Sequence, residues 1–288
     1  MKILRFGIPL IGSAGWAGGT LYSINMAKAL LSLGSERPRI IAIIRPDQIS
    51  DIPANVDFLA LCDAILLLGD FSQFPIRFPD TLTILKSAHL EVIKEHVDFI
   101  YPTIWDVQHH VPNGSWIPDF QHHVLPEFFS AEELTFRTRA FDRIANHAKL
   151  LVVSSEDSKR DFAKYYPYAK CETFVLHFAS QLDAPQGNPR ANLASLAIPD
   201  RFLLCSNQFW SHKNHITLFR ALGILKRQGV VIPLVCTGAA SDYRNQDHFN
   251  TLIKTLDEEG IRDQVQILGF IPREQQISLI RCCMAMVQ

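Results

Sequence analysis

The sequence predicts an α/β protein with parallel sheets covered by helices. Short apolar, β-branched runs alternate with longer segments of helical period along the whole chain. Polar or small-residue loops stand where a run ends and the next helical segment begins, twice in the manner of a nucleotide-binding half. The length of 288 residues is long for one compact domain and comfortable for two. With 48% hydrophobic and 20% charged residues the chain can bury sizeable cores, which excludes a disordered scaffold.

In order, the first unit opens with a strand from Ile3 to Leu10, the loop IGSAGWAGG, and a helix from about Thr20 to Leu33 closed by Gly34 as a C-cap. Strand-like runs follow at Ile40 to Ile44, Ala64 to Gly69, Phe99 to Tyr101 and Leu150 to Val153. Between the last two, Ser130 and Glu133 have capping-box spacing, and Leu134, Phe141, Ile144 and Ala148 recur on one face, which predicts a helix from Ser130 to Ala148. The stretch rich in Pro, Asn, Ser and Ala that follows predicts a linker over 181–199, separating an N-terminal domain at 1–180 from a second at 200–288. There the alternation restarts: strand Phe202 to Ser206, helix Asn214 to Gln228, strand Ile232 to Thr237, helix Gln246 to Glu259, strand Val265 to Leu268, and helix Arg273 to Arg281. The final run CCMAMVQ reads as a fourth, buried strand, so the chain is expected to be truncated within this domain. Beyond this rhythm no self-similarity marks a solenoid.

Lys plus Arg, 28, almost balances Asp plus Glu, 29, so the basic footprint of a nucleic-acid binder is missing. Six cysteines without C-x-x-C spacing point to a reducing compartment. The N-terminal apolar run is broken by Pro9 and leads into a glycine-rich loop, the pattern of a first strand rather than a signal peptide. No run approaches the ~20 apolar residues of a bilayer span. The expected location is cytoplasmic, and attachment to a membrane surface is compatible with it.

Three segments carry candidate chemistry. The loop from Gly12 to Gly19 joins a strand to a helix, where backbone N–H groups cradle phosphates; it matches neither G-x-G-x-x-G nor the Walker pattern, and close packing of the turn on the sheet explains the glycines equally well. The segment HHVPNGSWIPDFQHHVLPEFF gathers His109, His110, His122, His123, Asp119 and Glu127 among aromatic residues. It lacks metal-ligand spacing, so no metal is expected; it reads either as a polar acceptor pocket holding a base or as core packing with histidines on its rim. The third, LLCSNQFWSHKNH, crowds Asn207, Gln208, His212, Lys213 and Asn214 where a strand meets a helix N-terminus, a place for a phosphate with Lys213 as its point charge, or a solvated loop with Asn214 as plain N-cap. The turn CTGAAS, with Gly238, ends the next strand and is placed to line the same site.

Taken together, these motifs resemble the retaining glycosyltransferases of family 4, whose GT-B fold consists of two Rossmann-like domains. The likeness covers most of the chain and rests on GWAGGT, on the stretch from Trp116 to Glu133 typical of a mannosyltransferase-like branch, on SSEDSKRDF, on NQFWSHKNH and on LGFIPREQQISLIRCCMAMVQ. The resemblance implies that Gly18 and Gly19 approach the donor diphosphate, that Lys213 pairs with it, and that Asp119 or His122 faces the acceptor and the transferring sugar. Asn207 and Gln208 occupy the neighbourhood where many members carry an arginine. It also implies a nucleotide-sugar co-substrate with mannose as the preferred sugar, a saccharide or saccharide-lipid acceptor of the kind used in polysaccharide biosynthesis, and no metal requirement. The family's P-S-x-x-E-G-F-G segment, with two glutamates seven residues apart, would begin after Gln288. A non-catalytic fragment or pseudo-enzyme therefore stands as the alternative for the 288-residue chain. An NAD(P)-dependent oxidoreductase would need the strict glycine fingerprint and an acidic residue closing the second strand, where this sequence has Arg45 and Pro46.

Overall fold

A computed structural model describes residues 3–13, 16–73, 78, 83–87, 89–104, 110–180, 187–242 and 244–288. The chain divides into two compact units, Met1–Pro126 with Ala131–Gln181, and Glu127–Ser130 with Leu182–Gln288.

The first unit is built on eight parallel strands: β1 (Arg5–Pro9), β2 (Arg39–Ile44), β3 (Ala64–Leu68), β4 (Thr83–Ser87), β5 (Phe99–Ile104), β6 (Asn113–Ile117), β7 (Leu150–Val153) and β8 (Glu172–Val175). Their order in the sheet is β4-β3-β2-β1-β5-β6-β7-β8. The chain runs outward from β1 to β4, returns to the other side of β1, and runs outward again, so the order reverses between β1 and β5; open α/β sheets bind ligands beyond the carboxyl ends of strands at such a point. The runs RIIAII and AILLL of β2 and β3 are buried almost throughout, because helices cover both faces. Alternate side chains feed two cores: Ile40, Ala42, Ile44 and Ile65 join Ile8, Ala27 and Phe58, while Ile41, Ile43, Ala64 and Leu66 join Ile93 and Val97.

Among the described residues the helices of this unit are α1 (Ala17–Leu31), α2 (Val56–Leu59), α3 (Gln121–Val124), α4 (Ala131–His147) and α5 (Glu156–Tyr165). Helix α4 buries Ala140, Phe141, Ile144 and Ala145, and these pack with Phe120, Leu151, Val153 and Phe162. Ser155 caps α5, its Oγ accepting the Ser158 N–H at 3.0 Å.

Three of these strands, β4, β6 and β8, go beyond the sequence expectation. The segment expected as an aromatic loop contains β6, whose opening Asn113-Gly114 reads as a turn in sequence. In the sheet, Gly114 is a packing choice: a Cβ there would lie 2.9 Å from Cδ2 of Tyr101 on the adjoining β5. Helix α1 also starts earlier than expected, at Ala17, so Gly18 and Gly19 belong to its first turn rather than to the loop.

The second unit holds four parallel strands, β9 (Leu203–Ser206), β10 (Leu234–Thr237), β11 (Val265–Ile267) and β12 (Ala285–Met286), in the order β11-β10-β9-β12. Helices α6 (His215–Arg227), α7 (His248–Glu258) and α8 (Arg273–Cys282) join them. Phe209, Phe219, Leu222, Cys236, Leu252 and Ile261 form one core, and Leu193, Phe202, Leu204, Val235 and Leu279 another. Of the stretch expected as a linker, 181–186 lies outside the described residues, and Ala191–Leu196 forms a 3-10 turn that contributes Leu193 to a core. The last apolar run forms a strand, but not the buried one expected: β12 pairs with β9 at the edge of the sheet, and its Ala285 and Met286 are exposed.

Candidate functional site

In the second unit the order reverses at β9, so the segment leaving β9 occupies the ligand-binding position of an open sheet. The strand ends are joined there by polar contacts. The hydroxyls of Ser206 and Thr237 lie 2.8 Å apart, and Gln276 Nε2 donates to Ser206 Oγ at 2.7 Å. Gly238 has φ +129°, and a Cβ on it would lie 2.2 Å from the Asn207 carbonyl oxygen, so the β9 and β10 loops touch backbone to backbone. Asn207 is half-buried beside them.

The chain then makes a 3-10 turn, Ser211–Lys213, passes through Asn214 at φ 52°, and enters α6. Asn214 is at the N-cap position but makes no side-chain bond to the helix backbone; its Oδ1 accepts from Thr217 Oγ1 at 2.9 Å. The turn is held from below by Asp242, only 4% exposed, whose Oδ2 accepts the Ser211 N–H at 2.8 Å and the Ser211 hydroxyl at 2.9 Å while Oδ1 accepts the Arg244 N–H at 3.0 Å. Burial pushes the Asp242 carboxyl up, but the bonds from Ser211 and Arg244 hold it below the usual range, so it is a carboxylate at neutral pH. Lys213 is exposed. Among the described residues no acceptor or carboxylate pairs with its ammonium, which is open to an anionic ligand.

The corresponding loop of the first unit, between β1 and α1, differs. Ala14 and Gly15 lie outside the described residues. Gly12 has φ +89°, and a Cβ on it would lie 2.2 Å from the Thr20 nitrogen; one on Gly19 would lie 2.7 Å from the Gly12 nitrogen. These glycines let the loop pack on the first turn of α1, the structural alternative noted for them. Gly18 is exposed, and the nearest atom to a Cβ there would be Trp16 Nε1 at 3.3 Å. Helix α1 has no side-chain N-cap and no acidic residue in its first turn, which leaves its amide end positive.

Asp119 and His122 sit beyond β6 in unlike surroundings. The Asp119 side chain is 37% exposed, and its Oδ1 accepts the Gln121 N–H at 3.1 Å and Arg137 Nη1 at 3.2 Å. His122 is 3% exposed, packed edge-on against Phe141 with ring centroids 4.9 Å apart. Burial, reinforced by His123 and Arg137, lowers it to about 4, so the ring is neutral at pH 7 and matched to holding a hydrogen bond rather than to taking a proton. His123 stacks on Tyr165 at 4.1 Å and meets the Tyr166 hydroxyl at 3.1 Å, a structural role. His110 is exposed, and His109 lies outside the described residues.

Sequence reading passed over Asp242 and an aromatic cluster formed by Trp16, Tyr22, Tyr101, Trp116 and Phe178. Asp242 follows a small-residue turn, the one cue available; the cluster is assembled from four separate segments and left none. Among the described residues no group of three or more His, Cys, Asp or Glu side chains could hold a metal ion, and no helix is long and apolar enough to cross a membrane.

Residues 192–288 match the family model described as Glycosyl transferases group 1, and this segment contains Asn207, Lys213 and Gly238. No curated protein sequence matches the chain. Among solved structures, Anabaena HepE in complex with UDP-glucose is 16% identical with a TM-score of 0.63, over 98% of this chain and 73% of that one. Sucrose-phosphate synthase from Thermosynechococcus elongatus is 12% identical with a TM-score of 0.57, over 98% of this chain and 74% of that one. A glycosyltransferase from Rickettsia africae is 13% identical with a TM-score of 0.56, over 99% and 72%. These likenesses establish the fold class, two Rossmann-like α/β units of the GT-B type.

Proposed function

We propose that the protein is a retaining glycosyltransferase that moves a hexose from a nucleotide-sugar donor to a hydroxyl of a saccharide or saccharide-lipid. The observation that carries this is Lys213, an exposed ammonium without a partner among the described residues, held in the turn between β9 and α6 inside the segment that matches the glycosyltransferase family model. In this proposal the second unit binds the donor and the first the acceptor. The sugar C1–O bond to the diphosphate breaks, the acceptor oxygen bonds to C1 on the same face, and the acceptor proton passes to the departing diphosphate or to solvent. Lys213 and the amide end of α6 would meet the charge that grows on the leaving phosphate, the term that dominates many enzymatic accelerations. Asn207 and the close backbone approach at Gly238 would shape the same pocket.

For the acceptor, Asp119 is favoured over His122, because its carboxylate is partly exposed and aimed by Arg137, whereas the His122 ring is enclosed. Since Lys213 supplies the counter-charge, chelator should leave the rate unchanged. Mannose is the preferred sugar by the branch resemblance, with a UDP-hexose second because the HepE structure holds UDP-glucose. The test is to incubate the chain with GDP-mannose or UDP-glucose and saccharide acceptors and to follow the anomeric proton by NMR. One donor consumed with its anomeric configuration kept supports the proposal. Inversion contradicts the retaining assignment, and no turnover of either donor supports the alternative, a non-catalytic fragment or pseudo-enzyme.

A further inference from the structure

The cluster of aromatic rings in the first unit takes part in no step described above. Trp116, at 2% exposure, is its base. Tyr22 stacks on it with centroids 4.4 Å apart and planes 8° apart, and Trp16 stacks at 6.3 Å and 15°. Phe178 meets both Trp116 and Tyr22 edge-on, at 6.3 and 5.7 Å. It lies three residues beyond β8, at the far edge of the sheet, so the chain turns back across the strand ends to place it. The base is fixed further by Trp116 Nε1 donating to Ser154 Oγ at 3.3 Å and by the Tyr22 and Tyr101 hydroxyls 2.5 Å apart. Burial raises both phenols, so they stay neutral.

A core cluster would close over its rings. This one leaves Trp16 36% and Phe178 62% exposed, on a rigid base, with Trp16 opening the helix that follows β1, beside the point where the strand order reverses. The ladder carries no ionised group, and the β1–α1 loop from Gly12 to Gly19 contains no lysine or arginine. The matching ligand is therefore uncharged, with a flat apolar face and a hydroxyl rim, which is the shape of a pyranose ring. We infer that Trp16 and Phe178, backed by Trp116 and Tyr22, form a stacking platform for a pyranose, the terminal sugar of the acceptor. Its assignment as acceptor rests on the proposed glycosyl transfer; the binding of a pyranose does not.

Saturation-transfer NMR on the full chain tests it, with methyl mannopyranoside and methyl glucopyranoside as probes and phenol as the non-sugar control. Transfer to the ring C–H protons of a pyranoside is expected, falling about tenfold in Trp16→Ala and Phe178→Ala and kept in Trp16→Phe and Lys213→Ala. Near-UV circular dichroism of the exposed-ring variant Phe178→Ala checks that the base of the ladder is intact. No transfer to either pyranoside in the wild type, equal transfer in the alanine variants, or transfer to phenol alone overturns the platform. UDP and GDP titrations of the wild type, beside Lys213→Ala, separate the two ideas. A pyranoside signal without nucleotide binding removes the transfer reaction and leaves the platform; nucleotide binding without a pyranoside signal does the reverse.

Discussion

The turns that follow β1 and β9 occupy equivalent places, each leaving the strand at which its sheet reverses order and each leading into a helix, yet they are built differently. The β9–α6 turn presents an exposed ammonium and is stapled from beneath by a buried carboxylate, Asp242. The β1–α1 turn has no cation; Gly12 and Gly19 are taken up by packing of the loop on the first turn of α1, and aromatic rings stand where the other turn has charge. A glycine-rich loop in a Rossmann-like unit is thus not evidence of a phosphate site until it is known whether backbone or solvent fills the space beside each glycine.

The comparison breaks most visibly at its glycines. Gly12→Ala and Gly238→Ala each force a left-handed residue against backbone atoms 2.2 Å away. Each should cost about 3 kcal/mol or more, read from urea unfolding. Gly18→Ala, at an exposed position, should change stability by less than about 0.5 kcal/mol. Equal costs at Gly12 and Gly18 would remove the packing explanation of the first loop.

Next in size is Lys213→Ala, expected to weaken nucleotide binding by about 1.5–3 kcal/mol with the melting temperature unchanged, because the ammonium holds nothing among the described residues. Asp242→Asn should cost on the order of 1–2 kcal/mol of stability and weaken the nucleotide indirectly. Since the folded carboxyl titrates below its ordinary value, its contribution is complete above the unfolded range near 3.8 and is lost as pH falls through the lower folded value. An acid titration of the melting temperature, wild type against Asp242→Asn, should converge there.

His122 gives an effect of similar size to Asp242, with the opposite cause. Its ring is lowered to about 4 in the fold and returns toward 6.5 when unfolded, so the unfolded state takes up the proton first. Stability should decline on the order of 1–2 kcal/mol as pH falls from 6.5 toward 4, and His122→Gln should flatten that slope. A wild-type slope equal to that of the variant would show that the ring is solvated.

How much of this was legible in the sequence follows from what each signal depends on. The doubly wound class was readable because β2, β3 and β7 are buried hydrophobic runs whose pattern is local. Strand β6 was not, because Asn113 and Gly114 look like a turn and only contact with Tyr101 explains the glycine. Strand β8, ETFV, alternates between exposed and half-buried residues at the edge of its sheet and offers too short a pattern. The β9–α6 turn was readable as a loop because SHKNH brings its polar groups in one stretch. The aromatic ladder needs residues from α1, β5, β6 and the chain beyond β8, which only the sheet order brings together.

The central claim is that the β9–α6 turn binds the diphosphate of a nucleotide through Lys213. Calorimetric titration of the 288-residue chain with GDP and UDP, beside Lys213→Ala, tests it most directly. One nucleotide should bind, at least tenfold more weakly in the variant, a loss of about 1.4 kcal/mol or more. Equal affinity in the two proteins, or no binding of either nucleotide to the wild type, would contradict it.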